Sequence, residues 1–197
     1  RENEMGKLIV FEGVDGAGKT ETGRLLEKDY GFKYCATPPS GYKPIRAYMN
    51  ETASPLPRFL YYMAGNIDAS REMKELLKAN NVICDRYVFS TLVAHSIREN
   101  VPLEQMIELS KPYQDYLVVP DVTILLDVQP DEQIRRLNRR NNGNNSSSDR
   151  IILDNSILRQ KFRETYLEAA MRFGWQVIDT TGKSVEETVQ ELNFIPA

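Results

Sequence analysis

Short apolar runs rich in Val, Ile or aromatic residues recur along the chain at 8–12, 32–36, 81–85, 121–127 and 175–179. Runs of this length and composition predict five buried strands. Helical spacing of apolar positions fills the gaps, near 18–29, 56–79, 89–99, 102–116, 130–140, 150–173 and 184–193. Strands that are apolar throughout, alternating with helices, predict an α/β fold. Its form is a three-layer sandwich, a five-stranded parallel sheet with helices on both faces. Ligands of such sheets sit beyond the carboxyl ends of the strands. The segments to read for chemistry are therefore Gly13 to Thr20, Thr37 to Gly41, Asp85 to Tyr87 and Asp127 to Gln129.

Composition narrows the picture without deciding it. The 197 residues suit one domain, 1–197, with a full core. A net charge of −3 from mixed signs argues against general nucleic-acid or membrane binding. No apolar run approaches the roughly 20 residues of a membrane span, and the first five residues do not read as a signal peptide. Cys35 and Cys84 fall in strands and read as free thiols of a reducing, cytoplasmic compartment. The one low-complexity stretch, NNGNNSSS at 141–148, has arginines on both sides.

The strongest chemical signal is LIVFEGVDGAGKT at residues 8–20. A strand runs into the pattern G-x-x-x-x-G-K-[ST], from Gly13 through Gly18 to Lys19 and Thr20. The loop Gly13, Asp15, Gly16, Ala17, Gly18 offers backbone N–H groups to a phosphate chain. Lys19 reaches the β/γ oxygens, the Thr20 hydroxyl takes Mg²⁺, and the following helix directs its positive end at the anion. The chain is read as binding a nucleoside triphosphate on a P-loop NTPase sandwich. Gly182-Lys183-Ser184 lacks the leading glycine and reads as a plain turn with Ser184 as helix cap. A second strand, Val82 to Asp85, ends on a carboxylate followed by Arg86. In phosphate-loop enzymes such an aspartate serves the metal, and the guanidinium suits a phosphate oxygen pair. A surface salt bridge is the plainer reading of Asp85-Arg86.

FEGVDGAGKT followed by VICDRYVFST resembles the thymidylate-kinase-like group of P-loop nucleoside monophosphate kinases. Pro120-Asp121, Asp149-Arg150-Ile151 and the FRETYLEAA helix extend the resemblance over nearly the whole chain. It implies transfer of a phosphoryl group from ATP, with Mg²⁺, to a pyrimidine nucleoside monophosphate, in a homodimer. Carried across residue by residue, Lys19 and Thr20 hold ATP phosphates and Mg²⁺, and Asp85 organises the metal. Asp15 meets the acceptor's sugar and phosphate region, and Arg86 holds the acceptor phosphate. Tyr62 matches the base-stacking aromatic; Asn66, one turn on, stands where the group usually has an arginine, on the same helix face. Core packing is the plainer reading of Tyr62, and a cap or solvent-facing position that of Asn66. Thr91 completes the acceptor contacts, in a pocket expected between 37–70 and 85–98.

Transfer also needs cations that close over the phosphates. Arg135, Arg136, Arg139 and Arg140 before NNGNNSSS, and Arg150 after it, suit a lid at roughly 135–150, with Arg135 on the ATP and Arg139 and Arg140 in transfer. A solvated basic helix face is the alternative.

Three departures leave the acceptor open. Thr37-Pro38-Pro39-Ser40-Gly41 lacks the usual phosphate-gripping arginine, for which Lys43 or Arg46 is a substitute. Ala94 stands where a tyrosine often crowds the ribose 2′-hydroxyl, with His95 beside it. The TPPS turn, Gly65-Asn66 and Ala69-Ser70 are similar to the mitochondrial UMP/CMP kinase branch. The acceptor is therefore dTMP or a broader (d)UMP/(d)CMP set. A nucleotide switch would carry N-K-x-D, which is absent here. A silent nucleotide-binding partner is expected to have lost Lys19, Asp85 or Arg86. A deoxynucleoside kinase needs a carboxylate base, for which Glu12 is the candidate.

Overall fold

The computed structural model describes residues 5–140 and 147–194, with 147–149 described as backbone only. Five strands, β1 Leu8–Glu12, β2 Lys33–Ala36, β3 Val82–Asp85, β4 Val122–Asp127 and β5 Gln176–Asp179, form one sheet in the order β2-β3-β1-β4-β5. Every neighbouring pair is parallel, with Phe11 beside Asp85, Ala36 beside Asp85 and Asp127 beside Asp179. Helices α1 Lys19–Tyr30, α2 Lys43–Glu51, α3 Pro55–Leu76, α4 Val88–Glu99 and α5 Leu103–Ser110 occupy the first half. Helices α6 Pro130–Arg139, α7 Ser147–Asp154, α8 Ser156–Phe173 and α9 Val185–Gln190 follow.

The central strand shows why the helices lie on two sides. Ile9 and Phe11 point into a cluster with Leu26, Tyr166, Ala170 and Val189, from α1, α8 and α9. Leu8 and Val10 point the other way, onto Ala69 and Met73 of α3. All four are at most 1% exposed. Each buried side chain of this size contributes about 1.5–3 kcal/mol, so β1 is apolar on both faces because both faces are covered. From β1 the chain runs toward β2, and from β4 toward β5, so the crevice opens where these connections part.

Three helix boundaries differ from the sequence expectation. Helix α2 lies in a segment for which no helix is predicted. Pro44 lies in the first turn, where a missing N–H removes no helical bond. The helix expected over 102–116 ends as α5 at Ser110 and continues as a 3₁₀ turn, Lys111–Tyr116, opened by Pro112. The helix expected over 150–173 divides at Asn155, whose side chain accepts the Leu158 N–H at 2.9 Å and starts α8 afresh.

Candidate active site

The loop after β1 is shaped by its glycines. Gly13 has φ 139°, and a Cβ there would lie 2.2 Å from the Leu126 carbonyl oxygen, so only glycine lets the loop press onto β4. Gly16 and Gly18 also have positive φ, 84° and 91°. Helix α1 begins at Lys19 with no side-chain cap, leaving first-turn N–H groups for an anion. Lys19 Nζ donates to the carbonyls of Gly13 at 2.9 Å and Val14 at 2.8 Å. Burial lowers its pKa to about 8, with Arg86 acting in the same direction against Asp85 and Asp15.

Parallel pairing of β1 with β3 sets Asp85 beside this loop. The Thr20 hydroxyl donates to Asp85 Oδ2 at 2.5 Å, and the Tyr34 hydroxyl donates to the same oxygen at 2.9 Å. Asp85 thus faces the helix start that carries Lys19 and Thr20. No sequence motif marks Tyr34; it lies on β2, two strands from β1, and only sheet order brings it here.

Arg86 is held in a left-handed conformation, φ 66°. Its Nη1 donates to Gly13 O at 2.9 Å and Ser90 Oγ at 3.0 Å, and its Nη2 to Asp15 Oδ1 at 2.8 Å. Burial opposes ionisation of Asp15, but Arg86 and then Lys19 hold its carboxyl well below the usual range. The surface-salt-bridge reading fails for these residues: Asp85 is 7% exposed, and Arg86 pairs with Asp15 across the loop.

Glu12 does not fit the role of base. It is 1% exposed, its Oε1 accepts the N–H groups of Tyr87 at 3.0 Å and Ser90 at 3.2 Å, and the Ser90 hydroxyl donates to its Oε2. Burial raises its pKa against these bonds and Arg86. Glu12 is a cap for α4 supplied from β1, a partnership invisible in the local sequence.

Two cavities flank the loop. One, about 490 Å³, is lined by Asp15, Tyr62, Arg86, Thr91 and Ala94 and carries five arginines against three carboxylates. The other, about 580 Å³, is lined by Gly16, Ala17, Gly18, Arg135, Arg139 and Arg140. Asp15 and Gly16, neighbours in the chain, thus face different cavities, with Lys19 bonded to the loop between them. The Gly182-Lys183-Ser184 turn caps α9 through a Ser184–Glu187 capping box, and it also forms a wall of the second cavity.

Other expected residues sit differently. Asn66 does not line the first cavity: it is 1% exposed, and its Nδ2 donates to Thr91 Oγ1 at 3.0 Å. It braces Thr91 from behind, because α3 turns that face onto α4. Tyr62 does line the cavity, with its hydroxyl donating to Asn50 at 2.6 Å, so core packing is not its place. Arg46, from α2, lines the same cavity, and Lys43 does not. Within the expected lid, Arg136 is a strut: its Nη1 donates to Gly16 O at 3.1 Å and its Nη2 to Thr180 O at 2.5 Å. Arg135 pairs with Glu132 on α6. The centre of that lid, 141–146, lies outside the described residues, as do the side chains of 147–149. Among the described residues, three buried side-chain nitrogens lack hydrogen-bond partners, on Arg58, His95 and Arg159, and all three residues line the first cavity. Such an atom costs about 1–3 kcal/mol while unsatisfied.

Comparison with known proteins agrees with this geometry. The thymidylate kinase family model matches residues 11–192. A thymidylate kinase of Geotalea daltonii is 30% identical over 200 residues, spanning 93% of each chain. A Methanocaldococcus jannaschii protein named "Probable thymidylate kinase" is 31% identical over 197 residues, covering 94% of this chain and 93% of its own. The solved thymidylate kinase of Candida albicans has the same fold, with a TM-score of 0.73 at 20% identity over 95% of this chain and 89% of its own. With a phosphate loop between two cavities, Asp85-Arg86 beside it and a match that runs from β1 past α9, the chain belongs to the thymidylate kinase family.

Proposed function

We propose that this chain transfers the γ-phosphoryl group of ATP to dTMP, giving dTDP and ADP, with the roles assigned as follows. The observation that carries the reading is the pair of cavities separated by one loop. Two phosphorylated ligands entering from opposite sides meet at Lys19. ATP takes the side of Gly16, Ala17 and Gly18, where loop N–H groups and the α1 N-terminus receive its phosphates. Arg135, Arg139 and Arg140 add positive charge on that side. The acceptor takes the other side, with its base beside Tyr62 and its phosphate near Arg86 and Arg46.

In-line attack by a phosphate oxygen of dTMP forms the new P–O bond as the β–γ bridge of ATP breaks. The acceptor is already ionised, so no general base is required. Lys19 and Arg86 stabilise the charge that spreads over the transferring group. Thr20 and Asp85 are the residues suited to Mg²⁺: one hydroxyl and one carboxylate, in contact at 2.5 Å. Among the described residues no group of three or more Asp, Glu, His or Cys side chains is arranged to hold a metal ion by itself. A sparse donor set of this kind fits Mg²⁺, which keeps water and phosphate oxygens as its other ligands. Held by Thr20 and Asp85, Mg²⁺ would supply neutralisation of the phosphate charge.

Nucleoside phosphorylation is disfavoured, since Glu12 is sealed into the α4 cap. A broader pyrimidine range is favoured by one observation: Ala94, a small residue, lines the acceptor-side cavity and leaves room for a 2′-hydroxyl. ADP release from Mg-ATP with dTMP, dUMP, UMP, dCMP, CMP and thymidine tests both readings. The main proposal expects dTMP at the head of the series and no turnover of thymidine. Comparable rates with UMP and CMP would replace it with the broader one, and turnover of thymidine alone would overturn both. Exposed Leu56 and Leu60 on α3 support a homodimer, which the molar mass in solution would decide. The buried free thiols of Cys35 and Cys84 support a cytoplasmic setting.

A further inference from the structure

Few buried polar atoms in a folded protein lack partners. Here the described ones gather on one wall: Nε of Arg58, Nε2 of His95 and Nε of Arg159 all belong to residues of the acceptor-side cavity. Arg58 and His95 are near enough for the arginine's charge to act on the imidazole, so the two unpartnered groups share one part of that wall. His95 is 2% exposed, and its Nδ1 lies 2.9 Å from the Thr91 carbonyl one turn earlier on α4. A carbonyl only accepts, so Nδ1 carries the proton and the neutral ring presents Nε2 as an acceptor. Burial lowers the pKa of the ring, and Arg58 and Arg98 add to this against the Thr91 carbonyl and Glu99. Arg58, reaching in from α3, can only donate. Its Nη2 is engaged by Glu99 Oε1 at 2.5 Å, while its Nε–H is unpartnered. Tyr62 meets the imidazole edge-on, with 6.4 Å between ring centroids, and lines the same cavity.

We infer that His95 is a specificity-determining contact of the acceptor site, its Nε2 accepting a hydrogen bond from the ring N–H of the pyrimidine while Arg58 Nε–H donates to the adjacent carbonyl. The inference rests on the reading of this cavity as the acceptor site. A thymine or uracil imide offers an N–H next to a C=O, the complement of one acceptor and one donor. The ring is pre-positioned from behind, because Thr91, whose carbonyl holds Nδ1, is itself braced by Asn66. A site that leaves such groups unpaired against a wrong ligand discriminates strongly.

The test compares wild type, His95→Phe and His95→Gln with dTMP and with 3-methyl-dTMP, whose ring nitrogen has no proton. The glutamine amide oxygen can replace Nε2 as acceptor; phenylalanine keeps the ring shape without it. His95→Phe is expected to raise the KM for dTMP about tenfold with the KM for ATP unchanged, and His95→Gln to restore most of the loss. Methylation is expected to penalise wild type and to have little further effect on His95→Phe. A wild-type KM in His95→Phe, or an equal methylation penalty in both proteins, would overturn the inference. So would a His95→Phe loss confined to UMP, which would assign the contact to the sugar hydroxyl. If His95→Phe does not fold, wild type decides alone: equal use of 3-methyl-dTMP and dTMP overturns the contact. A wild type active on dTMP but failing these arms strikes His95 only. A wild type inactive on every monophosphate strikes the acceptor-site reading as well.

Discussion

The two sides of the phosphate loop are built by different means. The side proposed for ATP is centred on contiguous chain, with Gly16, Ala17, Gly18 and the start of α1 as its floor, and arginines of α6 and the Gly182-Lys183-Ser184 turn complete its walls. The acceptor side is gathered from distant segments, with Asp15 after β1, Arg46 on α2, Arg58 and Tyr62 on α3, Arg86 after β3 and His95 on α4. On the proposed reading the first meets a phosphate chain with the N–H groups of one loop and helix start, backed by Lys19 and the α6 arginines. The second recognises through side chains, and there the three described buried nitrogens without partners are found. A phosphate chain is common to every nucleotide, so its site can be generic. A base and a sugar differ between nucleotides, so their site must be particular, and buried groups without partners in its wall are the means of discrimination inferred above.

Substitutions can break or sharpen this contrast, and the largest effect belongs where both sides meet. Lys19→Ala is expected to lower kcat by about 10²–10³, as loss of a preorganised charge stabiliser does, equally for every acceptor that wild type uses. Acceptor-dependent loss in steady-state rates would place Lys19 on one side only. Next in size is Tyr34→Phe, which removes one of the two hydroxyls on Asp85 Oδ2. Loss of such a supporting partner costs about tenfold or more in metal affinity or activity. The Mg²⁺ concentration for half-maximal turnover should rise by about that factor with the KM for dTMP unchanged, and an unchanged Mg²⁺ requirement would remove Tyr34 from the site.

A smaller effect separates function from strain at Arg86. Its φ of 66° suits glycine better than alanine, by about 1–2 kcal/mol. Both Arg86→Gly and Arg86→Ala should lose turnover, while denaturant unfolding should find Arg86→Gly the more stable of the two by roughly 1 kcal/mol. Equal stabilities would mean that the backbone relaxes on losing the guanidinium.

The smallest signal is a proton. Lys19 has a pKa lowered to about 8, chiefly by burial, so its charged form is lost as pH rises through that value. A phosphate chain favours the charged form and raises the pKa again. ATP binding at pH above about 8 should therefore take up protons, less than one per site, and the uptake should fade as pH drops well below 8. Calorimetry in buffers of different ionisation enthalpy measures it. Lys19→Arg should abolish the effect, and uptake that persists in that variant belongs to another group.

Sequence alone determined the parts of this molecule that depend on local chain. The five apolar runs, the parallel sheet with helices on both sides, the glycine loop and the Asp85-Arg86 dipeptide were all legible. A strand buried on both faces must be apolar throughout, and a loop that wraps phosphate needs glycine at particular steps. Tertiary structure decided what lies across space. Helix α2 was not predicted, and its formation, with Pro44 in a first turn that tolerates it, brings Arg46 rather than Lys43, together with Asn50, to the cavity. Packing of α3 on α4 turned Asn66 away from the cavity toward Thr91 and left His95 at its wall. Sheet order carried Tyr34 to Asp85, and β1 lent Glu12 to cap a helix that starts some 75 residues later. A backbone motif is written in adjacent residues, whereas the partner of a buried polar side chain is chosen by packing, and packing exists only once the whole chain has folded.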